Sequence, residues 1–129
     1  MIKFAQISGN SMYPTYKHGS LVLVRELKSA DKEEKCNVFE GDVILFSHPL
    51  VPEYDHTGYR ADAYTPCMIK RITRICNTAD DGYRLFVEGD NTENSTDSRY
   101  FGTIPLSSVI GRVIFPKREK EISDDNKSE

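Results

Sequence analysis

The stretch MIKRITRICNTADDGYRLFVE, residues 68–88, decides the fold class. Met68 to Ile75 is rich in Ile and reads as a strand, and Tyr83 to Glu88 reads as its returning partner. Asp80-Asp81-Gly82 between them is a hairpin turn signal, because an Asp-Gly pair tolerates the positive φ angles that a tight turn demands. Branched and aromatic side chains suit the pleated surface on either side of it. Successive side chains on a strand point to opposite faces, so Met68, Lys70 and Ile72 share one face.

The same pattern repeats outward from this hairpin. Ile2 to Ile7 alternates loosely as a first strand, and His18-Gly19-Ser20 is a turn before Leu21 to Arg25. Glu40-Gly41-Asp42 is another turn, leading into Val43 to Phe46. Val109 to Phe115 is a last strand, broken at Gly111. Lys28 to Lys35 is charged and is expected to be an exposed loop. Residues 47–66 carry Pro49, Pro52, Gly58 and Pro66 and are expected to be irregular. Gly89 to Gly102 is polar and loop-like. Short apolar runs between turn residues predict a mainly β protein. The expected fold is one compact antiparallel domain over residues 1–116, partly open and barrel-like. Residues 117–129, KREKEISDDNKSE, have too little apolar content to fold and are expected to be a disordered, charged tail.

Composition narrows the function classes. A chain of 129 residues suits one domain, and 38% hydrophobic content with no Trp predicts a single modest core. The net charge of −3 and the dispersed basic residues argue against nucleic acid as a partner. Cys36, Cys67 and Cys76 are odd in number and form no C-x-x-C, so neither a disulfide framework nor a zinc site is expected. His18, His48 and His56 lack the H-E-x-x-H pattern. No metal and no cofactor is expected. The longest apolar runs, Leu21-Val22-Leu23-Val24 and Val43-Ile44-Leu45-Phe46, are far below the ~20 residues of a spanning helix. Lys3, Gln6 and Asn10 interrupt any secretory signal at the start. The chain is therefore expected to be soluble, cytoplasmic by default, or held at a membrane by a partner.

Three blocks carry the chemistry: Ser8-Gly9-Asn10-Ser11-Met12-Tyr13-Pro14-Thr15, then Met68-Ile69-Lys70-Arg71-Ile72, then residues 89–102, GDNTENSTDSRYFG. Singly they read as a turn, an edge-strand lysine and a loop. Together they resemble the type I signal peptidases and their mitochondrial inner-membrane relatives. The family pattern is S-M-x-P-T, then K-R, then G-D-N-x-x-x-S-x-D-S-R-x-x-G, and the blocks stand here in that order. The resemblance covers roughly residues 4–116 and extends to Val109-Ile110-Gly111-Arg112-Val113.

The resemblance implies a serine endopeptidase with the signal-peptidase or self-cleaving-repressor type of fold. It assigns Ser11 as nucleophile and Lys70 as general base. A serine hydroxyl needs a neighbouring base, and a free lysine is protonated at neutral pH. Burial disfavours the ammonium form, and Lys70 stands between Met68 and Ile72 on its face, as desolvation requires. Ser95 matches the serine that orients the lysine amine, while Asp97 and Arg99 match a pair that braces the site. Gly9, Asn10 and Met12 flank the nucleophile and belong to the oxyanion loop. Many bacterial members carry Ser where this chain has Gly9, which leaves most of the oxyanion stabilisation to the Ser11 backbone N–H. Asn94-Ser95-Thr96 also fits a glycosylation sequon, read as accidental with Ser95 in the site.

The expected partner is a precursor protein or peptide bound extended, cleaved after small residues to remove a signal- or leader-like segment. Peripheral membrane association is compatible with this. Three rivals differ in substrate or class. One is a maturation protease dedicated to a single partner, such as a nickel superoxide dismutase precursor. Another is a self-cleaving regulator, disfavoured because only ten residues precede Ser11. The last is an inactive peptide-binding module, disfavoured because both dyad residues are present.

Overall fold

The central hairpin forms as the sequence predicts. A computed structural model describes residues 2–27, 36–47, 67–80 and 82–119. Within them the strands are β1 (Ile2–Gln6), β2 (Leu21–Glu26), β3 (Val43–Ser47), β4 (Cys67–Thr78), β5 (Gly82–Glu88), β6 (Ile104–Pro105) and β7 (Val109–Phe115). They form one seven-stranded antiparallel sheet in the order β1-β2-β7-β3-β4-β5-β6, which does not close on itself. The mainly β expectation is borne out. The expected loop at 28–35 lies outside the described residues, as do residues 120–129 of the tail and all of the irregular segment 47–66 except Ser47, which ends β3 instead.

β4 shows why an apolar run that contains Lys and Arg still folds as a central strand. Its first six residues, Cys67 to Ile72, are buried on both faces, and its exposed second half runs out into the hairpin. Gly82 closes that hairpin at φ +68, the left-handed conformation its missing Cβ permits. Alternation then divides the apolar residues. Cys67 and Ile69 join Val43, Leu45, Val24 and Met12 in one cluster, while Met68 and Ile72 join Ile44, Phe46, Leu85 and Val109 in another. The composition predicts a single core; the strands β3 and β4 instead separate two. A sheet that packs apolar residues on both faces of its middle strands cannot bury them in one cluster.

Two further differences concern local structure. β7 is continuous through Gly111, where the sequence predicts a break. A Cβ at Gly111 would lie 2.5 Å from the Arg25 carbonyl oxygen, so glycine here permits the close approach of β2. The polar block 89–102 is not simply loop. It holds a 3-10 turn at Thr92–Asn94 and a four-residue helix, α1 (Ser98–Phe101). Register shifts between β2 and β7, β3 and β7, and β4 and β5 mark bulges that bend the sheet.

Candidate active site

The loop that carries Ser11 leaves β1 and returns to β2. Its neck is closed by backbone hydrogen bonds from Ile7 N–H to the Ser20 carbonyl and from Gly19 N–H to the Ile7 carbonyl, each 2.8 Å. Within it, Tyr13 N–H donates to the Asn10 carbonyl at 3.1 Å and Tyr16 N–H to the Met12 carbonyl at 2.9 Å, which coils residues 10–16 tightly. Met12, Thr15 and Tyr16 are buried and anchor the coil. Met12 thus belongs to the first apolar cluster and does not line the cleft. Gly9 takes φ +86, and its N–H donates to His18 Nδ1 at 2.9 Å.

The third block is tied to this loop. Asn91 N–H donates to the Ser11 carbonyl at 2.8 Å, and Asn91 Nδ2 donates to the Asn10 carbonyl at 3.0 Å. Gly89 packs so closely that an added Cβ would stand 2.6 Å from the Ser11 carbonyl oxygen and 2.2 Å from Ser95 Oγ. The Ser11 backbone and the Ser95 side chain therefore both crowd the same glycine.

The second block is tied to the third by an ion pair. Arg71 Nε and NH2 donate to the two carboxylate oxygens of Asp90 at 2.9 and 2.8 Å, while NH1 donates to the Gly41 carbonyl at 2.8 Å. Both side chains are buried, so the bidentate geometry is what makes the pair tolerable out of water. Asp90 lies between Gly89 and Asn91. The residue after Lys70 and the residues that hold Ser11 are thus joined within one turn of chain. Lys70 pairs in register with Ile44 and is fully buried, at 0% exposure.

Asp97 is the hub of the third block. Its Oδ2 accepts from Gly89 N–H, Ser95 Oγ–H and Arg99 NH2, each at 2.8 Å. Its Oδ1 accepts from Arg99 N–H at 3.1 Å and Arg99 Nε at 2.9 Å. Asp97 also caps the N-terminus of α1, and Ser98 Oγ accepts from Val87 N–H at 2.8 Å, fixing the block to β5. Burial pushes the Asp97 carboxyl up, but the Arg99 guanidinium and then the Gly89 N–H, the Ser95 hydroxyl and the Arg99 N–H outweigh it and hold it below the usual carboxylate range. The Arg99 guanidinium is raised in turn, first by its bonds to Asp97.

These ties enclose an open cleft of about 840 Å³ lined by Gly9, Ser11, Tyr13, Asn91, Glu93 and Ser95 among others. Ser11, Ser95, Gly9 and Asn10 line it, while Lys70 and Asp97 are buried. Among the described residues no cluster of His, Cys, Asp or Glu is placed to hold a metal ion, and no helix is long and apolar enough to cross a membrane. The sequence reading gave no role to Arg71, Asp90, Asn91 or His18. An arginine inside an apolar strand was a usable signal for Arg71, because such a residue needs a buried partner. Nothing in the sequence marks His18.

The open antiparallel sheet thus carries a serine loop between β1 and β2 and a buried lysine on β4. The model of the signal peptidase family, peptidase S26, matches residues 76–117, which include the third block but neither Ser11 nor Lys70. Mitochondrial inner membrane protease subunit 1 of Mus musculus is 29% identical over 112 residues, 84% of this chain and 64% of that protein. Signal peptidase I of Buchnera aphidicola is 52% identical over 33 residues, 26% of this chain and 11% of the relative. Thylakoidal processing peptidase 1 of Arabidopsis thaliana is 24% identical over 140 residues, 84% of this chain and 40% of the relative. The chain is thus similar to the type I signal peptidases and to their mitochondrial inner-membrane relatives. It spans slightly less than two thirds of the length of the mitochondrial relatives it matches.

Proposed function

We propose that the chain is a serine endopeptidase that removes signal- or leader-like segments from precursor proteins, with Ser11 as nucleophile and Lys70 as general base. The observation that carries this reading is the full burial of Lys70 one residue from Arg71, whose partner Asp90 sits in the turn that grips Ser11. A lysine withdrawn from water among apolar neighbours loses its preference for the ammonium form and becomes able to accept a proton. In the reaction the Ser11 oxygen bonds to the scissile carbonyl carbon and its proton passes to the neutral Lys70 amine. The tetrahedral intermediate collapses as the C–N bond breaks, and the Lys70 ammonium returns that proton to the leaving amine. Water then attacks the acyl-enzyme, losing its proton to Lys70, and Ser11 leaves reprotonated. Ser95, pinned to Asp97 through its hydrogen, keeps oxygen lone pairs to orient the lysine amine. The cleft takes an extended peptide beside the Ser11 loop.

The test uses a peptide with alanine at the first and third positions before the cut. Wild-type cleavage is expected to rise with pH and to be indifferent to chelators. Ser11→Ala and Lys70→Arg are each expected to lower the rate by ~10²–10⁴-fold, with folding checked by circular dichroism. Arginine stays protonated and cannot accept the proton. A Lys70→Arg protein that is folded and cleaves at the wild-type rate overturns the assignment.

A further inference from the structure

We infer that His18 is a positioning residue for the nucleophile, acting through Gly9. This rests on the reading of Ser11 as nucleophile. The carbonyl side of Ser11 is held by Asn91, whose backbone N–H and side-chain amide take the carbonyls of Ser11 and Asn10. The amino side is held by a different device. Gly9 N–H, two residues before Ser11 and on the cleft wall, donates to His18 Nδ1 at 2.9 Å. Gly9 stands at φ +86, a conformation it reaches easily and also leaves easily, since glycine has several alternatives of similar energy. A fixed acceptor at the Gly9 N–H selects one of them and so sets the direction in which the chain enters Asn10 and Ser11.

The backbone on either side of this exposed acceptor is itself fixed. His18 sits between Lys17, whose carbonyl accepts Ser20 N–H at 3.0 Å, and Gly19, whose N–H donates to the Ile7 carbonyl at 2.8 Å. Gln6 Nε2 also donates to the Gly19 carbonyl, at 3.4 Å. The imidazole is thereby carried on the neck of the loop, where β1 and β2 meet, and reaches across it to Gly9. Accepting at Nδ1 requires the tautomer with its proton on Nε2. His18 exchanges no proton with substrate in this role; it holds the loop so that Ser11 keeps its place on the cleft wall. Misplacing a reacting atom by even a fraction of the bonding distance lowers turnover with little effect on substrate capture.

The experiment measures kcat and KM for wild type, His18→Ala, His18→Asn and Ser11→Ala on the same peptide, with Tm for each. Asn places a side-chain oxygen close to where Nδ1 stands and restores the acceptor; Ala does not. Loss of one hydrogen bond that orders the loop is expected to lower kcat about 3- to 10-fold in His18→Ala, with KM unchanged. His18→Asn is expected to recover most of it. A purely structural histidine would give variants that follow Tm and not acceptor chemistry. His18→Ala with wild-type kcat overturns the inference while Ser11→Ala stays inactive and the peptidase reading stands. Equal losses in His18→Ala and His18→Asn also overturn it. An active Ser11→Ala overturns both.

Discussion

Replacing Asp97 by alanine removes one acceptor from five hydrogen bonds, and the structure fixes what is then left behind. Gly89 N–H and Ser95 Oγ–H both point at Asp97 Oδ2, and Gly89 N–H is buried, so no water replaces the lost carboxylate there. An orphaned buried donor costs ~1–3 kcal/mol. Loss of the cap of α1 adds ~1 kcal/mol. Arg99 contributes less, because its side chain is 37% exposed and rehydrates. The expected loss is about 2–4 kcal/mol, which is a large part of the ~5–15 kcal/mol of a whole domain. Urea unfolding at neutral pH measures it. The pH dependence supplies a second reading of the same group. The folded Asp97 carboxyl lies below its unfolded value of ~3.9. Its contribution is therefore fully present above that value and is lost as pH falls through the lower, folded one. Asp97→Asn keeps the shape but cannot titrate. Its stability should start lower at neutral pH, because its amide hydrogens meet donors, and should fall less than that of wild type on acidification. An Asp97→Ala protein within 1 kcal/mol of wild type, or an Asp97→Asn protein with the wild-type acid response, would refute the reasoning.

Other substitutions test the ties separately. Gly89→Ala drives a Cβ against the Ser11 carbonyl and Ser95 Oγ, so labelling of Ser11 by a serine-reactive fluorophosphonate should fall at least tenfold, beyond any loss explained by a Tm shift. Arg71→Ala leaves Asp90 buried without its guanidinium and should cost ~3–5 kcal/mol in urea unfolding. Arg71→Lys should recover only part, since an ammonium cannot make the bidentate contact. Burial pushes the Cys67 thiol up to about 11, so iodoacetamide at pH 8 should modify the half-buried Cys36 and Cys76 in the native protein and reach Cys67 only on unfolding, by peptide mass mapping.

The strands were legible because each is a short Val- or Ile-rich run bounded by turn residues, and that pattern is local. What the sequence hid is non-local. Gly111 read as a break because glycine weakens an isolated strand, yet its lack of a Cβ is what lets β2 approach. The two apolar clusters follow from burial of β3 and β4 on both faces, which depends on their neighbours in the sheet and not on their own alternation. Ile104–Pro105 is too short to carry a period and becomes β6 only because Leu85 and Arg84 lie beside it. In the site, the three blocks were visible as motifs. Their ties, Arg71 to Asp90 and Asn91 to Ser11, link residues 19 and 80 positions apart. His18 was silent because its role is to accept from a backbone N–H, which leaves no mark on sequence pattern.

The central claim is that Ser11 is made nucleophilic by Lys70. The most direct measurement is the rate at which a fluorophosphonate labels Ser11, located by peptide mass mapping, in wild type and Lys70→Arg across a range of pH. The dyad predicts labelling confined to Ser11, faster as pH rises in wild type, and slow at every pH in Lys70→Arg. Labelling of Ser11 that is equally fast in a folded Lys70→Arg protein, or labelling that falls on another residue, would contradict it.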